Sequence, residues 1–262
     1  MARPVVALLT DFGTRDHYVG TMKGVVLGVC ADAQLVDVTH DVPPQDIHAA
    51  AFELAAAYRY FPAATVFLVV VDPGVGSSRR AIAAAAGGFF FVAPDNGVLS
   101  LAFEQTPPTR LVELQDPHFA LSSISATFEG RDRFAPAAGW LAGGVDLSAF
   151  GRELSDYTRI DIPRPRVDEH GVDGEVVRID RFGNLITNIP RAMVDTFANG
   201  GVTIATMQLP ATVSTYSDVP VGDVCALISS SGHLEIAVNG GNASERLRLG
   251  RGSRVRYHLR LP

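Results

Sequence analysis

The stretch TVFLVVV at residues 65–71 limits the fold more than any other segment. A strand former with no polar alternation cannot lie in a sheet with one wet face, so both faces must be covered. The runs VVALLT (5–10) and FFFVAP (89–94) have the same character. Between and after them come segments with helical spacing: 16–30, the Ala-rich 44–61 with Pro44 near its start, and 131–144. Strands of this type separated by helices predict an α/β N-terminal domain with a mainly parallel sheet. AIAAAA (81–86) and FFFVAP read as a hairpin-like pair inside it.

The pattern changes after residue 160. The stretch 161–174 is rich in Pro, Gly and charge, and 161–172 reads as a linker. Beyond it come short strand-like pieces, GEVVRID, LITNI, GVTIATMQL, DVCALIS, LEIAVN and RVRYHLRL, with no long helix among them. These predict a C-terminal antiparallel β-barrel domain over 173–262, after an N-terminal domain over 1–160. At strand period, Arg254 and Arg256 share one face of the last piece and Val255 and Tyr257 the other, as on a solvated sheet.

Composition removes several classes of function. A net charge of −6 argues against nucleic acid or an anionic membrane as the main partner. The two cysteines, Cys30 and Cys225, are far apart, which speaks against a disulfide framework and for a reducing cytoplasm. The N-terminal apolar run is too short for a signal-peptide core or a membrane span and reads as a buried first strand. The seven histidines show no ligand-like spacing, so no metal is expected.

In open parallel sheets ligands bind beyond the carboxyl ends of the strands. Asp11, Asp72 and the pair Asp95-Asn96 all follow predicted strands. Each alone suits a cap or turn; together they suggest one crevice. In DPGVGSSR, Pro73, Gly74 and Gly76 allow the chain to fold back and bring Arg79 onto Asp72, either as a loop-holding ion pair or as an oriented, ionised acid. TFEGRDRFAP adds Glu129, Arg131 and Asp132 ahead of a helix. In the second domain, DRFGNLITN and SSSGHLEIAVNGGNAS offer Asn, Ser and Gly groups that suit either a neutral polar ligand or hairpin turns. There is no dinucleotide fingerprint and no P-loop.

LLTDFGTRDHYVG, VVVDPGVGSSRR, APDNGVLS, TFEGRDRFAP, DRFGNLITNI and SSGHLEIAVNGGNAS, in this order, give the chain a resemblance to the S-adenosylmethionine (SAM) hydrolases that form adenosine, the SAM hydroxide adenosyltransferases. These are relatives of the fluorinases and chlorinases. The resemblance runs from about residue 5 to 245 and implies an α/β domain followed by a β-barrel. It also implies a homotrimer with each ligand between one subunit's N-terminal domain and its neighbour's C-terminal domain. SAM would be substrate, with no separate cofactor.

By position, Asp11 resembles the carboxylate that holds the ribose hydroxyls, and Asp72 with Arg79 resembles part of the water-handling set. Phe128 and Tyr216 would flank the nucleoside. Asp180, Phe182, Asn184 and Ser230 would contact the methionine and adenine portions. Asp16, Asn96, Thr127 and Asn239 complete the implied substrate-binding set. One departure stands out: the family pattern His-Gly-Arg-Asp is here Glu129-Gly130-Arg131-Asp132, so glutamate replaces the third member of the catalytic set. The expectation is water attack on the ribose 5′ carbon, with Glu129 either a second acceptor for that water or a partner of an arginine. A chlorinase-like halogenase and a non-catalytic SAM or adenosine binder are the alternatives.

Overall fold

The computed structural model describes residues 3–196 and 200–258 and divides into two compact units, Met1–Ile160 and Asp161–Pro262. The first unit runs β1 (Val5–Thr10), α1 (Tyr18–Val29), β2 (Gln34–Thr39), α2 (Ile47–Ala57), β3 (Val66–Val70), β4 (Ala81–Ala86), β5 (Phe89–Pro94), α3 (Ser100–Gln105), β6 (Arg110–Glu113) and α4 (Ala135–Ala142). Its six strands lie in the order β2-β1-β3-β5-β4-β6.

The sheet is mixed, with its larger part parallel. β2, β1, β3 and β5 run parallel, whereas β4 pairs antiparallel with both β5 and β6. The tight connection through Gly87 and Gly88 returns β5 beside β4, and a connection that short can only make an antiparallel pair. β6 then closes the edge in the same sense.

β3 shows why its apolar run is uninterrupted. Val66, Leu68 and Val70 face one core with α1 and α4, while Phe67, Val69 and Val71 face the other with α2 and α3. Every residue of the strand is buried. Full burial of such side chains stabilises by about 1.5–3 kcal/mol each, so a polar residue at any of these positions would strip a face from the core.

The second unit contains β7 (Arg166–Asp168), β8 (Gly171–Ile179), β9 (Leu185–Pro190), α5 (Arg191–Thr196), β10 (Gly201–Ile204), β11 (Met207–Leu209), β12 (Val224–Ile228), β13 (His233–Val238), α6 (Ala243–Leu247) and β14 (Arg254–His258). All its pairings are antiparallel, in the order β11-β10-β14-β8-β9-β13-β12, with β7 also on β8. The first half of β8 pairs with β14 and the second half with β9, so this long strand turns the sheet around its core. Among the described residues no ladder joins β11 to β12, and the unit is barrel-like with an open seam. β7 and the start of β8 fall within 161–172. On β14, Val255 and Tyr257 are buried and Arg256 reaches out to Asp168 and Asp173.

Candidate active site

Asp72 leaves the carboxyl end of β3 into a turn whose direction is set by Gly76. That residue has φ +78°, and a Cβ there would stand 2.5 Å from the Ala126 carbonyl oxygen. Glycine therefore lets the loop lie on the 125–128 segment and carry Arg79 back over Asp72. The Arg79 fork engages the carboxylate on both sides: Nε donates to Oδ1 at 3.0 Å and Nη2 to Oδ2 at 2.5 Å. Both side chains are buried, at 9% and 5% exposure for Arg79 and Asp72. The two side chains lie inside the unit.

Arg79 has a second carboxylate. Its Nη1 donates to Glu129 Oε2 at 3.1 Å, and its guanidinium lies 5.2 Å from the Phe134 ring centre. Burial alone would lower the Arg79 pKa, but the bonds to Asp72 and the charges of Asp72 and Glu129 raise it above the ordinary arginine value. Glu129 also lies 3.4 Å from Arg133 Nε, so four charges alternate in sign: Asp72, Arg79, Glu129, Arg133. Arg133 is fixed further by donating Nη1 to the Leu114 carbonyl at 2.8 Å. Sequence reading did not single out Arg133, although its four-residue separation from Glu129 marks it as a neighbour on any helical turn.

Glu129 precedes a π-helical turn, Gly130–Phe134, that runs directly into α4. Such turns are uncommon and concentrate at functional sites. Asp132, fully buried, pins the turn: it accepts from Arg131 Nε and Nη2 and from the Ser125 N–H. Burial pushes its pKa up, and these donors outweigh that and hold it below the usual carboxylate range. Arg131 is therefore a partner of Asp132 and not of Glu129.

Phe128 is buried on the other side of Glu129. Its ring meets Phe12 at 6.0 Å and the half-exposed Tyr18 at 5.0 Å, with the Arg131 guanidinium 5.3 Å away. This gives an aromatic wall beside the turn that follows β1. Asp11 sits in that turn and accepts from the Gln45 N–H at 2.7 Å. Gln45 itself has φ +66°, a conformation that costs a non-glycine residue roughly 1–3 kcal/mol.

The remaining first-unit positions are Asp16, Thr127 and Asn96. Asp16 is exposed, and Thr127 is exposed and bonded to Ser125. The Asn96 amide is engaged with its own frame, donating to the Val71 carbonyl and accepting from the Val98 N–H. Its neighbour Asp95 accepts from Arg80 and from the Thr158 N–H.

In the second unit Asp180, Phe182 and Asn184 form one turn. Asp180 Oδ1 accepts from the N–H groups of Phe182 and Asn184, and its Oδ2 from Asn184 Nδ2. The turn leaves the Phe182 ring 74% exposed, a large apolar surface for a residue so firmly placed. Tyr216 donates its hydroxyl to Glu235 Oε1 at 2.8 Å. Burial first, then Glu235, pushes the phenol up to about 12. Glu235 is almost fully buried on β13, and burial raises its pKa against the lowering effect of the Tyr216 bond. Sequence reading missed it, though a lone acid inside LEIAV was the available signal. Asn239 donates to the Val219 carbonyl, and Ser230 is exposed.

Residues 6–151 match the SAM hydroxide adenosyltransferase N-terminal domain, and residues 174–256 match its C-terminal domain. The chain is 42% identical over 261 residues to an (R)-S-adenosyl-L-methionine hydrolase of Thermus thermophilus, covering 97% of this chain and 99% of that protein. It is 38% identical to the protein of the same name from Salinispora tropica (97% of each) and 30% identical to a fluorinase of an Actinoplanes species (90% and 91%). Among solved structures, an uncharacterized conserved protein from Thermotoga maritima superposes with a TM-score of 0.91 at 36% identity, over 97% of this chain and 99% of that one.

Proposed function

The chain belongs to the SAM hydroxide adenosyltransferase family, and on that premise we propose that it hydrolyses S-adenosyl-L-methionine to adenosine and L-methionine. The observation that carries this reading is the buried, two-sided Asp72–Arg79 pair at the mouth of β3. A water held on Asp72 attacks the ribose 5′ carbon. The oxygen–carbon bond forms as the carbon–sulfur bond breaks, and its electron pair leaves on sulfur as the neutral methionine thioether. The water's proton passes through Asp72 to solvent, so each turnover consumes one sulfonium and releases one proton.

Positive charge at sulfur disappears along this path. Anions clamped on the sulfonium would hold the ground state more than the transition state and slow the step. The alternating charges around Arg79 avoid this by pairing both carboxylates with guanidinium groups. What remains is alignment of water, carbon and sulfur, worth about 7–11 kcal/mol at best, and proton acceptance, worth about 10²–10⁴-fold. Arg79 aims Asp72 through its two-sided bonds, and Glu129 holds Arg79 through Nη1.

Asp11 is assigned to the ribose hydroxyls, and Phe128 and Tyr216 to the faces of the nucleoside. Asp180, Phe182, Asn184 and Ser230 are assigned to the adenine and methionine ends, with Asp16, Asn96, Thr127 and Asn239 around them. We further infer a cytoplasmic homotrimer in which a first unit and a neighbouring subunit's second unit, closed there into a barrel, share each SAM. The distribution of the assigned residues over both units supports this.

The test is incubation of pure protein with SAM in ¹⁸O-labelled water, followed by chromatography and mass spectrometry. Labelled adenosine and equimolar methionine are expected, and Asp72→Asn should lose about 10²–10⁴-fold in rate. Unlabelled or absent adenosine overturns the reading. 5′-Chloro-5′-deoxyadenosine from a chloride-rich assay would replace water by halide as nucleophile, against the repulsion a carboxylate at position 72 exerts on an anion.

A further inference from the structure

The sequence has one lysine, Lys23, and its side chain heads a network that the catalytic set does not use. Lys23 projects from α1 and donates Nζ to Asp37 Oδ2 at 2.7 Å. The other Asp37 oxygen lies 2.9 Å from His40 Nε2, an oblique approach that makes it an electrostatic contact in preference to a hydrogen bond. His40 Nδ1 meets Thr10 Oγ1 at 2.8 Å, and Thr10 Oγ1 accepts the Phe12 N–H at 3.3 Å. The His40 carbonyl accepts the Gly13 N–H at 2.8 Å.

Both ends of His40 thus bear on the turn that carries Asp11. Its ring reaches Phe12 through Thr10, and its backbone holds Gly13. The network runs from the open surface at Asp37 to full burial at Thr10. A carboxylate beside Nε2 keeps the proton on that nitrogen and leaves Nδ1 to accept from the threonine hydroxyl. The hydroxyl oxygen then has its lone pairs free for Phe12, so every buried polar atom of Thr10 is satisfied in this tautomer.

We propose that Lys23, Asp37, His40 and Thr10 are positioning residues that set the Asp11–Gly13 turn and thereby the ribose affinity of the site. The inference rests on the assignment of Asp11 to the ribose, so it predicts an effect on nucleoside binding with little on the chemical step. A merely structural network would lower melting temperature and active fraction, leaving KM where it was.

The experiment compares Thr10→Val, Thr10→Ser, Asp37→Asn and Lys23→Arg with wild type. It measures kcat and KM for SAM, adenosine Kd by calorimetry, and melting temperature. Thr10→Val and Asp37→Asn should raise KM and adenosine Kd together by about 3–10-fold, with kcat within about twofold. Thr10→Ser and Lys23→Arg should restore both constants. Unchanged KM and Kd, or a loss confined to kcat, overturns the proposal, and so does a wild type that binds no adenosine. A wild type that binds adenosine in a Thr10-dependent way but releases none from SAM overturns only the hydrolase reading.

Discussion

Glu129 stands where the resemblance implies a histidine, and its surroundings bear on what it does. Two guanidiniums claim it, Arg79 through Nη1 and Arg133 through Nε. Both contacts fall on Oε2, so its contribution through Arg79 rests on that one oxygen. Glu129→Gln retains an acceptor oxygen for Arg79 and should cost about 3–10-fold in kcat, whereas Glu129→Ala, which leaves Nη1 buried and unpaired, should cost more. Steady-state rates of the two variants check this; a loss in Glu129→Gln as large as that in Asp72→Asn would make Glu129 a second proton acceptor. Glu235 supports a pH prediction of the opposite electrostatic kind. Burial raises its pKa above 4.5, so between 4.5 and that raised value the folded protein binds more protons than the unfolded chain. Stability must therefore fall as pH rises through that window. Glu235→Gln preserves an acceptor for the Tyr216 hydroxyl and removes the titration. Melting curves should show the wild type losing stability from pH 4.5 upward relative to the variant; parallel curves would disprove it.

The elements that carry the site differ in how readily the sequence displays them. β3 and the turn after it are legible because burial on two faces erases polar alternation, and because an acid followed by Pro and Gly marks the strand's exit. The direction of pairing is not written in an apolar run. AIAAAA and FFFVAP announced a hairpin, yet the short β6 on the far side of β4 gave no sign of which neighbour it would choose. Polar residues at strand ends were ambiguous for a related reason: Asn96 and Asp11 look alike in sequence, but Asn96 spends its amide on Val71 and Val98 while Asp11 accepts one backbone N–H. The His40 network stayed hidden because its members come from different elements, and Arg133 was legible only through its four-residue spacing from Glu129. The Asp72–Arg79 loop makes its own prediction. Gly76→Ala would force a Cβ toward the Ala126 carbonyl at a left-handed φ, a strain of roughly 1–3 kcal/mol that the loop can relieve only by lifting off. Activity should drop by at least about tenfold with a modest fall in melting temperature, because the displaced element carries the proposed catalytic pair and little of the core. Full activity in a well-folded Gly76→Ala protein would show that the loop's seat is unimportant.

For the assembled protein, the assignment of substrate contacts to two units leads to a test that needs no further structure. Asp72 and Arg79 belong to the first unit, and Asp180, Phe182 and Asn184 to the second. If one SAM is held by the first unit of one subunit and the second unit of its neighbour, then two inactive variants can repair each other. Asp72→Asn spoils only the first-unit half of a site; Asn184→Ala spoils only the second-unit half, by unmaking the turn that Asp180 organises. In a closed ring of mixed subunits, a site formed by the intact first unit of an Asn184→Ala chain and the intact second unit of an Asp72→Asn chain is fully wild type. Random assortment at equal amounts makes about a quarter of all sites of this kind, whatever the order of subunits around the ring. Co-expressed variants carrying different affinity tags, purified through both tags in succession, should therefore recover activity far above either variant alone. A site built within single chains predicts no recovery at all, since every chain in the mixture carries a lesion in its own site. The mixed preparation must also run as one species at the mass of three chains by light scattering, and a monomeric mass would end the shared-site proposal whatever the rates.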